Sequence, residues 1–336
     1  MDFTTPHMPA LDDQNAERER AGSRALSTFA RVLSARILRA HADGALTSNE
    51  LDARLGWAAK ASLRVAISNL CELGVLVRTD LNDGRRASVT ELTPAGGELL
   101  AVADVLEHWL SRSPFGPISL PDTAARGVVR ALVAGWNANI VRELAEGPRS
   151  LAELSTEIDH HSYPALKRRL AMLRSVNLVA PVNGKTRSPA HEATQWLRRA
   201  IGPLSAAGRW ERNHAAPSTA SLSRLELEAA LLLVLPLAEL PAGAAGECVL
   251  AAPASQTVGN GDEPALAAVS VVAADGKLLS VSSGASSTPA TWALGTPGAW
   301  LDAIIDGNCD ALRLRGADVG LVEALVAGVH EALFPA

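Results

Sequence analysis

Ser162-Tyr-Pro-Ala-Leu-Lys-Arg-Arg-Leu-Ala-Met-Leu-Arg-Ser-Val-Asn-Leu-Val179 reads as one helix with both of its ends written in. Ser162 is placed to cap the first free backbone N–H groups. Pro164 falls in the first turn, where a missing donor is harmless. Leu166, Leu170 and Leu173 recur at i, i+4 and i+7 and predict one buried stripe. Arg168 projects from the opposite face, with Lys167 and Arg169 on its flanks. Asn177 stops the helix, and Leu178-Val179 opens a strand. A cationic helix on an apolar underside, followed by a short strand, is the form in which a helix is offered to a DNA groove. An ordinary amphipathic helix with a solvated basic face reads the same way on this stretch alone.

Working outward, the helix belongs to a repeat. Shifted by 103 positions, residues 37–77 overlay residues 140–180 without a gap. Ile37 falls on Ile140, Gly44 on Gly147, Thr47 on Ser150 and Glu50-Leu51 on Glu153-Leu154. Leu63, Ile67 and Leu70 fall on Leu166, Leu170 and Leu173. With a shift of 101, Thr93 meets Thr194 and Trp109 meets Trp210. Each copy parses as a first helix (25–42; 125–145) and a second helix opened by a Thr47 or Ser150 capping box. The third helix, a hairpin turning at Asn82-Asp-Gly84 or Asn183-Gly184, and a long closing helix (94–111; 192–212) follow. This order predicts two tandem winged helix-turn-helix domains, 23–113 and 124–214. A stiff Pro-rich linker, 113–121, lies between them.

Copy two resembles the HxlR-type winged-helix regulators, relatives of the MarR group. The resemblance rests on Trp136, Ile140, Leu144, Gly147-Pro148, Glu153-Leu154, Ser162, Leu166, Leu170 and Leu173. Copy one is similar at greater distance, with Leu33 where copy two has Trp136. Many relatives carry a redox-sensing Cys near the domain start. Neither copy has one there, so thiol sensing does not carry over.

Charge separates the chain into unlike parts. The whole carries −5, but residues 124–214 hold 14 Lys and Arg against 7 Asp and Glu, and residues 215–336 hold 4 against 13. Phosphate attraction acts over a Debye length of about 8 Å, so a local +7 outweighs the total. Residues 1–22 are polar and aperiodic and read as a disordered tail. Cys71, Cys248 and Cys309 match no metal spacing and no disulfide framework. With no apolar leader segment, this predicts a cytoplasmic protein.

The last third reads as α+β. Residues 227–235, 247–252, 266–273, 278–283 and 291–294 pattern as strands, with a tight turn at Asp275-Gly276. Thr296-Pro297 opens a helix, 312–314 is a short strand, and 319–333 a closing helix. Ala293-Leu-Gly-Thr-Pro297, Ala299-Trp-Leu301, Ile304-Ile305 and Gly307, followed by Leu312-Arg-Leu314 and Gly316, resemble sterol carrier protein type 2-like domains. That resemblance covers 222–336 and implies an apolar tunnel for a lipid-like or polyketide-like ligand.

The candidate DNA-binding residues are Tyr163, Lys167, Arg168 and Arg174, with Lys185 and Arg187 in the wing of copy two. Copy one offers Lys60, Arg64, Ser68, Asn69 and the wing pair Arg85 and Arg86. Trp292 and Trp300 are candidate ligand-binding residues, as are Trp109 and Trp210; core packing is the competing role for all four. His160-His161 diverge in direction and lack a third ligand nearby, so no metal is expected. No nucleophile elbow, phosphate loop or paired Cys is present, and neither an enzyme nor a cofactor is expected. These features together predict a ligand-responsive, DNA-binding transcriptional regulator. Its partners would be double-stranded DNA and an apolar small molecule, with no membrane, as a monomeric pseudo-dimer or a homodimer. The alternative is a sequestering, self-resistance protein for an apolar natural product, whose winged helices no longer read DNA.

Overall fold

The computed structural model describes residues 21–56, 60–80, 88–136, 138–158, 162–182, 189–214, 222–253, 267–286 and 290–335. It opens with α1 (Ser23–Phe29), α2 (Val32–Ala40), β1 (Leu46–Thr47), α3 (Ser48–Leu55), α4 (Lys60–Glu72), β2 (Leu76–Asp80), β3 (Ser88–Leu92) and α5 (Pro94–Ser111). The order returns in α6 (Thr123–Gly135), α7 (Ala138–Glu146), β4 (Arg149–Ser150), α8 (Leu151–Glu157), α9 (Tyr163–Ser175), β5 (Val179–Pro181) and β6 (Ala190–Ala193). It is closed by α10 (Gln195–Arg199) and α11 (Ile201–His214). Each set has a small antiparallel sheet, ordered β1-β3-β2 and β4-β6-β5. The registers coincide. Leu46 faces Thr90 as Arg149 faces His191, and Leu76 faces Leu92 as Val179 faces Ala193. The change of offset from 103 to 101 therefore falls inside the hairpin, at its tip. Both tips, including the two turn signals, lie outside the described residues.

The same local chemistry builds both copies. Thr47 and Ser150 cap α3 and α8, accepting from Glu50 N–H and Glu153 N–H at 3.3 and 3.2 Å. The two carboxylates answer by accepting from the cap backbones at 2.7 and 2.6 Å. Those backbone bonds hold Glu50 and Glu153 below the ordinary carboxylate pKa. Gly74 and Asn177, one repeat apart, end α4 and α9 in the left-handed region, at φ 77° and 57°. Each lets the next N–H reach back across the last turn: Val75 to the Leu70 carbonyl, Leu178 to the Leu173 carbonyl. Ser162 sits at the cap position of α9, but its side chain makes no capping bond among the described residues.

Three expected elements are built differently. The first helix of each copy is two helices, broken at Ala30–Arg31 and at Trp136. The apolar spacing runs across both breaks without a proline, and only Gly135 marks the second in the linear pattern. The closing helix of copy two also splits, at Ala200. Pro203 has no N–H with which to bond back to Arg199. Finally, the apolar run at 227–235 is not a strand but the core of α12 (Arg224–Val234). Ser223 and Glu226 form its capping box. It packs between α7 and the last sheet, so from Ala229 to Val234 it is a continuous apolar run and shows neither period.

The two copies are joined about an internal two-fold. Trp109 Nε1 donates to the Trp196 carbonyl at 2.9 Å, and Trp210 Nε1 donates to the Ala95 carbonyl at 2.7 Å. The 101-residue offset turns one bond into the other, since Trp109 maps on Trp210 and Ala95 on Trp196. That reciprocity is the mark of an isologous interface, here inside one chain. It lays α5 antiparallel to α11. Trp109 and Trp196 stack at 4.7 Å with rings 17° apart, and Trp196 Nε1 donates back to the Trp109 carbonyl at 3.2 Å. Glu211 adds a one-sided tie, accepting from Gly22 N–H and Ala25 N–H at 2.8 and 2.7 Å. Ala21 and Gly22, tail residues by composition, are thereby packed against α11.

The C-terminal region is α+β. β7 (Gly246–Ala252), β8 (Ala267–Ala274), β9 (Lys277–Ser283), β10 (Thr291–Leu294) and β11 (Arg313–Gly316) form one mixed sheet in the order β11-β10-β7-β8-β9. Only β10 and β7 run parallel; the other neighbours are antiparallel. α12, α13 (Pro297–Asp306) and α14 (Val319–Leu333) complete it. Thr296 caps α13 by accepting from Ala299 N–H, with Pro297 in the first turn. Among the described residues no helix is long and apolar enough to cross a membrane.

Candidate nucleic-acid interface

α9 carries the candidate surface because its leucine stripe decides which way it faces. Leu166, Leu170 and Leu173 are buried. That turns Lys167, Arg168 and Arg174 outward, and all three are exposed. Tyr163, at the first turn, is 51% exposed. Among the described residues no carboxylate pairs with these three cations. Arg169, on the flank, is used differently, since its Nη1 donates to the carbonyls of Ala134 and Trp136 at 3.3 Å each. Those carbonyls are freed where α6 breaks, so Arg169 fixes α9 against that corner.

The matching surface of copy one, α4, is less cationic. Lys60 and Arg64 are exposed, and Ser68 donates to the Glu72 carboxylate at 3.1 Å. Asn69 is half-buried. Val65 stands where α9 has Arg168 and is 60% exposed. The four wing candidates, Arg85, Arg86, Lys185 and Arg187, lie outside the described residues, as do His160 and His161.

Much of the positive charge of copy two is taken up by partners within the chain. Arg142 donates to Glu143 at 3.0 Å and lies 3.9 Å from Glu228 of α12. Burial works against the Arg142 charge. The Glu143 hydrogen bond and the charges of Glu228, Glu143 and Glu146 outweigh it and raise the pKa. Arg149 reaches the other Glu143 oxygen at 3.5 Å. Glu228 also accepts from the Ser283 hydroxyl on β9. At the far end, Arg209 and Arg212 pair with Asp306 and Asp302 of α13 at 2.6 and 2.7 Å. Arg198 Nη1 donates to the Leu233 carbonyl at 3.1 Å, and its burial lowers its pKa. Five of the arginines counted in the sequence thus bind the acidic C-terminal region or stabilise copy two itself. α9 keeps three outward cations, and Arg130 on α6 is exposed as well.

A search against models of known protein families finds no match, and neither does a search of curated proteins.

The tryptophans fall in different places. Trp109 and Trp210 are 3% and 2% exposed and form the two-fold joint between the copies. Trp300 is 1% exposed and donates Nε1 to the Ala251 carbonyl at 3.0 Å. Trp292 is half-buried on the other side of the sheet, against Val249, Ala251 and Ala268. An apolar crevice opens between copy two and the C-terminal region, among Trp136, Leu204, Ser205, Leu227, Leu301 and Ile304. Its volume is about 30 Å³, the space of one water. Sequence reasoning missed Trp196, Glu211 and the Glu143–Glu228 network. Trp196, Glu211 and Glu228 have partners tens of residues away, and no spacing announces them. Trp196 alone had a signal: it sits at the position opposite the repeated tryptophan.

Two histidines are buried against the hairpins. His41 Nδ1 lies 2.8 Å from the Ile37 carbonyl and Nε2 2.8 Å from Thr90 Oγ1. Burial lowers its pKa, and Thr90 Oγ1 in turn donates to the Leu46 carbonyl at 3.2 Å. Copy two places His191 at the Thr90 position and Leu144 at the His41 position. His191 is 4% exposed, and neither ring nitrogen has a well-formed hydrogen bond among the described residues. Burial, ahead of the Arg174 charge, lowers its pKa. Burial raises the thiols of Cys248 and Cys309 to about 12 and about 11. Both thiols stay protonated at neutral pH.

Proposed function

We propose that the chain is a ligand-responsive, DNA-binding transcriptional regulator. On this reading residues 23–113 and 124–214 are tandem winged helices of the HxlR and MarR kind, and 222–336 is a sterol-carrier-like ligand domain. One observation carries it. An exposed helix bears Lys167, Arg168 and Arg174 unpaired by any described carboxylate, in a unit repeated about an internal two-fold. Two such units in one chain do what a homodimer of single units does on two half-sites, which lie about 34–36 Å apart along B-DNA. Lys167 and Arg174 serve phosphates, and Arg168 reaches base edges. A hydroxyl-radical footprint on a bound duplex tests this. The expected result is two protected stretches about one helical turn apart; protection of one stretch only ends the pseudo-dimer reading.

Regulation is assigned to the seam between α11 and the C-terminal region. α11 is half of the two-fold joint, and it also lines the crevice against α12 and α13. At about 30 Å³ the crevice admits no drug-sized molecule as it stands. An apolar ligand therefore enters by moving α12 and α13 off α11, which changes how α4 and α9 are held apart. A ligand that demonstrably binds yet leaves duplex affinity unchanged defeats this coupling. The sequestering alternative draws on Val65, which leaves α4 without the arginine that α9 has.

A further inference from the structure

Resting on the DNA-binding reading, we infer that the chain reads a non-palindromic site. Arg168 of α9 selects guanine in one half, and Val65 of α4 selects thymine in the other. The repeat register sets the comparison. Arg64 falls on Lys167, and Val65 on Arg168. The first pair keeps a cation in both copies, and all four residues are exposed. The second pair changes character completely. A two-fold frame with like cations at one position and unlike side chains at the next holds the backbone of both half-sites alike and reads their bases differently.

The chemistry of the unlike pair identifies the bases. An arginine on the outward face of a groove-bound helix donates two hydrogen bonds to guanine O6 and N7. A valine has no such bond to offer, and its apolar surface suits the thymine C5-methyl group. Val65 is one of five large apolar side chains that are exposed among the described residues. It lies at a shallow depression of about 390 Å³ shared with Arg31, Leu33, Ala61, Ala66 and Asn69. A mostly apolar lining that also carries Ser34, Ser62, Asn69 and Arg31 fits a methyl-bearing base edge with phosphate close by. Glu72, bonded to Ser68, further weakens the electrostatic pull of this half. The α9 half therefore supplies most of the affinity, and α4 supplies discrimination.

The test is selection of bound duplexes from a random-sequence library by the full chain at about 100 mM salt, followed by binding measurements on the recovered site. Two unlike half-sites are expected, one with guanine and one with thymine at the equivalent position. Replacing that thymine by uracil removes one methyl group and should weaken binding about fourfold, and the loss should vanish in Val65→Ala. Arg168→Ala should relax the guanine preference by about tenfold or more. Val65→Arg should turn the recovered site into a palindrome with guanine in both halves. Both positions are exposed, so an unchanged melting temperature confirms that the variants fold. A palindromic site for the unaltered chain, a single half-site, or a site indifferent to Val65→Arg overturns the inference and leaves DNA binding standing. The last result would give Val65 to a protein partner. Absence of any salt-sensitive duplex binding overturns both.

Discussion

Truncating Trp109 to alanine should unseat the joint between the two copies, and the size of the effect follows from its contacts. The ring is 3% exposed, so the truncation costs about 3–5 kcal/mol in lost burial and cavity formation. The stack on Trp196, at 4.7 Å, adds about 0.5–1.5 kcal/mol that depends on both rings. The two exchanged indole-to-carbonyl bonds are each worth about 1 kcal/mol net. Each indole bonds a backbone carbonyl that alanine keeps, so only the stack couples the two side chains, and a double-mutant cycle of Trp109→Ala and Trp196→Ala should show a coupling of about 0.5–1.5 kcal/mol. The two-fold makes a sharper prediction. Trp109→Phe and Trp210→Phe keep most of the apolar ring and remove equivalent bonds, so each should lose about 1 kcal/mol. Urea unfolding of all these proteins, followed by far-ultraviolet circular dichroism, gives the numbers. Coupling below about 0.5 kcal/mol is ordinary additivity and would refute the shared joint.

Other residues give independent checks. Glu211→Ala removes a buried acceptor for Gly22 N–H and Ala25 N–H, and should cost about 2–3 kcal/mol and expose residues 21–30 to limited proteolysis. Glu228→Ala removes the acceptor of the Ser283 hydroxyl and the more distant of the two carboxylates beside Arg142, which keeps Glu143, and should lower stability by about 1–3 kcal/mol, read as an earlier urea midpoint. His41 and His191 have pKa values lowered by burial, so below about pH 6.5 the unfolded chain takes up protons that the folded one refuses. Stability should be full above that pH and fall as the pH drops. His191→Leu should flatten part of the fall, and a melting-temperature profile from pH 8 to 5 reads it.

Much of the architecture was legible because its causes are local. The Thr47-Glu50 and Ser150-Glu153 boxes, the stop at Asn177, the Asp275-Gly276 turn and the Thr296-Pro297 start each need only neighbouring residues. All stand where the pattern put them. The outward turn of Lys167, Arg168 and Arg174 was legible for the same reason, since the leucine stripe leaves them no other side. What the sequence could not show depends on distant partners. From Ala229 to Val234 α12 is a continuous apolar run because α7 and the sheet enclose it, and that erases the period separating helix from strand. The helix breaks at Arg31 and Trp136 keep the apolar spacing, so only Gly135 and the corner held by Arg169 reveal the second. Local charge counting overstated the basic surface, because Arg142, Arg149, Arg209 and Arg212 are paired with carboxylates and Arg198 is held on backbone carbonyls.

The outward face of α9 is decided by how duplex affinity varies with salt when its cations are removed one at a time. Log affinity of the unaltered chain should fall linearly with log salt. Lys167→Ala and Arg174→Ala should each reduce the slope by about 0.9, the counterion share of one phosphate contact. Slopes that stay unchanged in both variants, or affinity that ignores salt altogether, would contradict a DNA-facing α9.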